Sequence, residues 1–246
     1  MIHRRHAALL LATCLLVAAP LSALAEDAAP VKPTKIAADA AYIKTSGNTE
    51  VTTASGGDKL EHTTGAWVLT QEARAVWGKT DGVETAGKYG ASLRGDWKFA
   101  PKVSAYGLGA WRRDQFAGIS RQFEEGIGLS WHAVAGTPHE LDLEAGAGLL
   151  QRLDTAHVQD DFSTARAGLR YKYSFTEKAY FEGRGSYLLN LEESEDSQAD
   201  GNLALVAPIS GGFSMKFGYD VNYRNRPLPG LEKTDTSLSA GIQFSN

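Results

Sequence analysis

In the stretch Gly211 to Arg224, GGFSMKFGYDVNYR, an apolar or aromatic side chain occupies every second position from Phe213 to Tyr223, and Ser214, Lys216, Gly218, Asp220, Asn222 and Arg224 fill the places between. A period of two puts the two sets on opposite faces of a β-strand. The same alternation returns elsewhere. Leu141, Leu143, Ala145, Ala147 and Leu149 oppose Glu140, Asp142, Glu144, Gly146 and Gly148, and Ala165, Ala167, Leu169, Tyr171 and Tyr173 oppose Thr164, Arg166, Gly168, Arg170 and Lys172. Tyr89, Ala91, Leu93, Trp97 and Phe99 oppose Lys88, Ser92, Arg94, Asp96 and Lys98. Two kinds of protein satisfy this pattern. In a soluble sandwich the apolar face is the core, whereas in a membrane barrel it meets lipid and the charged face lines the interior.

Strand length and aromatic placement separate the two. Strands of a soluble β-domain usually run about five or six residues, whereas these run about ten or more. Trp67 and Trp77 stand ten residues apart on one face of a strand, as do Phe213 and Tyr223. Ten residues rise roughly 33 Å, which a tilt near 40° reduces to about 25 Å, the height of an outer-membrane apolar band with an aromatic girdle at each edge. Trp97 and Trp131 fall shortly before tight turns, as girdle residues should. The expected girdle is therefore Trp67, Trp77, Trp97, Trp131, Phe213 and Tyr223.

The N-terminus agrees with export. Arg4 and Arg5 precede an apolar run that ends at Ala23-Leu24-Ala25, the layout of a signal peptide over residues 1–25. Its removal takes away Cys14, the only cysteine, and moves the net charge from −4 to about −6, so no disulfide and no basic nucleic-acid surface is expected. Residues 26–35, with Pro30 and Pro33, form an expected flexible periplasmic leader, and residues 36–246 the barrel. No later segment has the roughly 20 apolar residues of a membrane helix. Any span must come from strands closed into a barrel.

Tight turns are expected at Glu61 to Thr64, Ala100-Pro101, Gly136 to Pro138, Thr176-Glu177 and Ser210 to Gly212. Longer connections are expected near Ser46 to Asn48, Gly78 to Gly82, Asp114 to Ile119, Leu153 to Asp160, Asn190 to Asp200 and Asn225 to Asp235. The fold class is accordingly all-β, a single antiparallel up-and-down transmembrane barrel of about 12 strands with both termini on one side. The strands Ile36 to Thr45 and Thr49 to Lys59 carry weaker patterns, and Lys102 to Arg113 places Tyr106 and Leu108 on one face and Trp111 on the other, which suggests a bulge.

The sequence resembles the YdiY-like family of salt-induced outer-membrane proteins through Thr45-Ser46-Gly47-Asn48-Thr49, through Arg113-Asp114-Gln115-Phe116 with Gly118-Ile119, and through Gly126-Ile127-Gly128. The resemblance implies an outer-membrane barrel and brings no reaction or ligand with it. Many such barrels end on an aromatic residue, whereas here Phe244 stands two residues before the end.

Among residues that could carry chemistry, Ser130 and His132 share a face, but Trp131 takes the lipid side and turns both inward, and no orienting acid or oxyanion hole follows from the sequence. His62, His139 and His157 are scattered, and Glu192, Glu193, Glu195, Asp196 and Asp200 lack the spacing of a calcium loop. No catalytic residue, metal site or cofactor is expected. The most informative polar set is a charge ladder of Glu140, Asp142, Glu144, Arg166, Arg170 and Lys172 lining the bore. Pairing about the loop near Thr155 sets either Asp142 against Arg170 and Glu140 against Lys172, or Glu144 against Arg166 and Glu140 against Arg170. On the face opposite the apolar one, Gly146→Ser is expected to be mild.

The expected function is non-enzymatic: a narrow passive pore for small solutes or ions, or a structural envelope component, in the cell outer membrane. Outer-membrane lipid, lipopolysaccharide, periplasmic chaperones and the barrel-assembly machinery are the expected partners. The alternative is an outer-membrane hydrolase acting on lipid or lipopolysaccharide.

Overall fold

The computed structural model describes residues 33–45 and 50–246. The expected signal peptide, most of the expected leader and Ser46 to Thr49 of the family motif lie outside the described residues. Twelve strands follow one another: β1 Thr34–Thr45, β2 Val51–Thr64, β3 Trp67–Thr80, β4 Val83–Ala100, β5 Val103–Asp114, β6 Ile119–Val134, β7 His139–Asp154, β8 Gln159–Ser174, β9 Tyr180–Asn190, β10 Ser197–Ser210, β11 Phe213–Arg224 and β12 Thr234–Ser245. Each pairs antiparallel with its neighbours, and β12 returns to β1 to close the barrel. With every strand of 11 to 18 residues, the wall is long enough to cross a bilayer.

Strand starts and ends differ from expectation where turn chemistry outweighs polarity. β1 begins at Thr34, held by a Thr63 N–H bond to Pro33 O of 2.7 Å and by Thr34 Oγ1 at 2.9 Å from His62 Nδ1. β2 continues through the expected turn at Glu61 to Thr64, and the chain reverses instead at Gly65-Ala66, where Gly65 takes φ +57°. The polar run Gly78 to Gly82 is mostly strand. Only Asp81 and Gly82 turn, both with positive φ (50° and 81°), the geometry of a two-residue Asp-Gly hairpin. In β5 no register shift interrupts the ladder from Ser104 to Arg112, so no bulge separates Tyr106 from Trp111. Tyr106 and Leu108 are inward residues of an ordinary strand, and Trp111 is an outward one.

The ladders climb as they pass round the closed sheet. Along one of them Ala38 pairs Asp58, then Ala73, Ala91, Trp111, Phe123, Gln151 and Asp161. That path leaves the turn end of β1 and reaches the loop end of β8, so each partner stands about 3 Å nearer the loops than the one before, as in strands tilted by roughly 45°. The closing seam is short. β1 and β12 pair at four positions, Ala37–Ser245 to Ala40–Ile242, against twelve between β1 and β2 and eleven between β11 and β12.

Candidate functional site: the braced interior

Alternation assigns each side chain to the wall or the bore, and the contacts agree. Outward residues such as Leu143, Leu169, Leu203, Phe213 and Phe217 are exposed, as lipid-facing side chains are. Trp67 stacks 6.3 Å from Trp97, its ladder partner, and Phe213 lies 5.3 Å from Phe244 at the same turn-side rim. Trp131 is an outward residue near the turn end of β6, and Trp77 and Tyr223 stand near the loop ends of β3 and β11.

Charged side chains from strands that are not neighbours meet one another, which they can do only through the interior. Arg94 of β4 donates to Glu144 of β7 at 3.0 Å and to Ser130 of β6 at 2.9 Å. Arg112 of β5 reaches Gln198 of β10 at 2.9 Å, and Arg184 of β9 reaches Glu72 of β3 at 3.0 Å. Arg74 of β3 lies 3.5 Å from Asp220 of β11, and Lys88 of β4 bonds Asn222 of β11. The links from β3 to β9, β5 to β10 and β4 to β11 cross the bore, and the others span part of its circumference. These side chains are half-buried, so each partner offsets part of the desolvation of the other.

The expected ladder residues divide between wall pairs and cross-bore pairs. The β7–β8 register sets Asp142 opposite Arg170 and Glu140 opposite Lys172, with separations of 3.6 Å and 3.5 Å. Glu144 and Arg166 do not pair with each other: Glu144 is taken by Arg94, and Arg166 binds Glu124 of β6 at 2.6 Å. Arg170 has a second and closer partner, Glu182 of β9, at 2.9 Å. A continuous polar chain results. Lys59 touches Glu72 at 3.4 Å, Glu72 binds Arg184, Arg184 binds Glu182 at 2.6 Å, and Glu182, Arg170 and Asp142 lead to His132.

At the end of that chain His132 Nδ1 lies 2.7 Å from Asp142 Oδ1, and His132 Nε2 lies 3.0 Å from Ser104 Oγ. Ser104, not Ser130, is the serine at the histidine. The order serine, histidine, aspartate is that of a nucleophilic relay. Yet Ser104 is 0% exposed and lines neither the large cavity of the bore nor the smaller ones nearer the loops, so its Oγ is enclosed. The trio is a hydrogen-bonded strut near the turn-side mouth.

Several interior residues escaped the sequence reading. Tyr106 is 4% exposed, lies under the Arg94 guanidinium at 4.2 Å, and fills space that a Cβ on Gly128 or Gly146 would invade, at 2.6 Å and 2.5 Å from its Oη. Leu150, Phe162 and Leu188 form an apolar cluster inside the bore, beneath Arg152. Their parity, shared with Gly148, Thr164 and Ser186, was the signal that could have placed them. The acidic loop is engaged by arginines: Asp196 by Arg152 at 2.7 Å, and Glu193 and Glu195 by Arg226. Among the described residues no cluster of three or more His, Cys, Asp or Glu could hold a metal ion.

Between the cross-links the bore holds a cavity of about 490 Å³ lined by both signs of charge, among them Lys59, Glu72, Arg112, Glu124, Arg166 and Asp200. A smaller one of about 190 Å³ lies nearer the loops around Arg152, Asp160, Asp196 and Arg224.

An apolar outer wall, a charged interior and twelve strands closed on themselves define a transmembrane β-barrel. The chain belongs to the family described as "Protein of unknown function, DUF481", the YdiY-like family, whose model matches residues 38–245. No curated protein matches the sequence. Among solved structures it is similar to the NanC porin, at 10% identity and a TM-score of 0.54 over 85% of this chain and 98% of that one. The translocator domain of the autotransporter NalP from Neisseria meningitidis (12% identity, TM-score 0.44, 87% and 89% covered) and the KdgM porin (10%, 0.43, 86% and 98%) are less similar. At such identities the likeness is one of fold.

Proposed function

We propose that the protein is a passive pore of the cell outer membrane, narrowed by ion pairs that cross its bore, and that it admits only small polar solutes or ions. The observation that carries this reading is the pair of links Glu72–Arg184 and Arg112–Gln198, which join opposite walls and, with Arg94–Glu144 spanning a quarter of the barrel, divide an interior that twelve strands would otherwise leave open. Trp67, Trp97, Trp131 and Phe213 serve as the periplasmic girdle, and Trp77 and Tyr223 as the outer one. Lipid and lipopolysaccharide surround the wall, and delivery relies on export, periplasmic chaperones and the assembly machinery. Proteoliposomes should swell in glycerol or a small amino acid and stay unchanged in a trisaccharide. Swelling that is indifferent to solute size, or none with any solute, would count against the reading.

The hydrolase alternative has one observation in its favour, the Ser104–His132–Asp142 geometry. It predicts turnover of labelled phospholipid that disappears in Ser104→Ala. The enclosure of Ser104 predicts no turnover in either protein.

A further inference from the structure

One sector of the outer wall does not match the rest. On β2 the outward side chain at the centre of the strand is Asp58, which is exposed and makes no hydrogen bond or ion pair with any described residue. Its ladder partner Ala73 stands six residues above Trp67 and four below Trp77. With the tilt included, Asp58 lies about 11 Å from one ring and about 13 Å from the other along the membrane normal, midway through the apolar band. Glu125 also faces out, but only two residues from Phe123, so its longer side chain reaches the loop-side boundary. Asp58 has no such route.

Next to it, on β3, Gln71 points outward and is likewise without a partner among the described residues. Gln71 is two residues below Ala73, and this descent cancels the climb from β2 to β3. Asp58 and Gln71 therefore stand side by side at one depth, an acceptor and a donor about 8 Å apart. Beside them and toward the loops the outward side chains are small, Ala38 and Ala40, Gly56, Ala73 and Ala75, and Ala91, whereas on the turn side Gln71 is flanked by its ladder partners Leu60 and Leu93. The short β1–β12 seam borders the same sector.

We propose that this face docks a second copy of the chain inside the membrane, which rests on the outer-membrane reading above. Self-complementarity selects a copy of the chain as the occupant. A two-fold axis along the membrane normal between β2 and β3 brings the Gln71 amide of each copy to the Asp58 carboxylate of the other, and the small residues on the loop side of that pair let the two walls approach there, with Leu60 and Leu93 packing below. Both polar groups lose their exposure to lipid in one step. Ala73 falls on the axis and faces its own counterpart.

The test uses the full chain with Cys14→Ser and single cysteines, oxidised in outer-membrane fractions. Ala73→Cys should give a covalent dimer. Ala165→Cys, on the far wall, should not. Adding Asp58→Leu should lower the dimer yield several-fold, and Asp58→Asn should largely preserve it. An exclusively monomeric Ala73→Cys that still shows the heat-modifiable band of a folded barrel would overturn the proposal alone. A cross-link to a different protein would overturn the choice of occupant. Absence of the protein from the outer-membrane fraction would sink the pore reading and this inference together.

Discussion

At the scale of single residues, alternation reports which way a side chain points and not what it meets there. Gly146 lies on the polar face, where a serine looked harmless, but a Cβ at that position would stand 2.5 Å from Tyr106 Oη and from Ile127 O. Gly146→Ser is therefore expected to destabilise the barrel by about 1 to 3 kcal/mol through overpacking, read as a shift in the urea unfolding midpoint. Wild-type stability in that variant would show that both Tyr106 and the β6 backbone at Ile127 can give way. Arg170 makes a second point of the same kind. Because it lies 2.9 Å from Glu182 and 3.6 Å from Asp142, a double-mutant cycle should give a larger coupling for Arg170–Glu182 than for Arg170–Asp142. Equal or reversed couplings would mean that the wall pair, and not the β9 partner, anchors the guanidinium.

At the scale of strands, the sequence disclosed the faces, because a period of two survives any tilt, and it narrowed the β7–β8 register to two pairings of opposite charge, of which the structure adopts Asp142 with Arg170 and Glu140 with Lys172. Depth was not legible. It depends on how far the ladders climb round the barrel, a property of the closed sheet rather than of any one strand. Leu143 is paired with Trp131, so it sits at the turn-side boundary, whereas Leu203 pairs with Tyr219, six residues above Phe213. Leu203→Arg should cost about 2 to 4 kcal/mol and Leu143→Arg about 0 to 1 in refolding titrations. The opposite order would mean that the tilt has been misread. Cross-bore partners such as Glu72 and Arg184 were hidden for the same reason, since strands β3 and β9 are joined by nothing local. The seam adds a further expectation. Backbone groups of residues 41–45 and 237–241 have no ladder partner across it among the described residues. Their amides should exchange at least about tenfold faster than those of β6 to β8. Uniform protection would contradict an open seam.

At the scale of the whole molecule, two requirements meet in one architecture. The bilayer demands that the wall be closed and apolar, and the closed wall then confines the charged face to a bore in which every charge must find a partner. Some of the partners it finds lie along the wall and some, such as Glu72 and Arg184, across the opening, so that part of what neutralises the interior also narrows it. Single-channel conductance in planar bilayers tests this most directly. The wild-type protein should show small, uniform steps, and Glu72→Gln combined with Arg184→Gln, which removes one cross-bore link, should raise the step size several-fold while the folded, heat-modifiable band persists. Large porin-like steps in the wild type, or a conductance that the double variant leaves unchanged, would contradict the claim that ion pairs across the bore set its width.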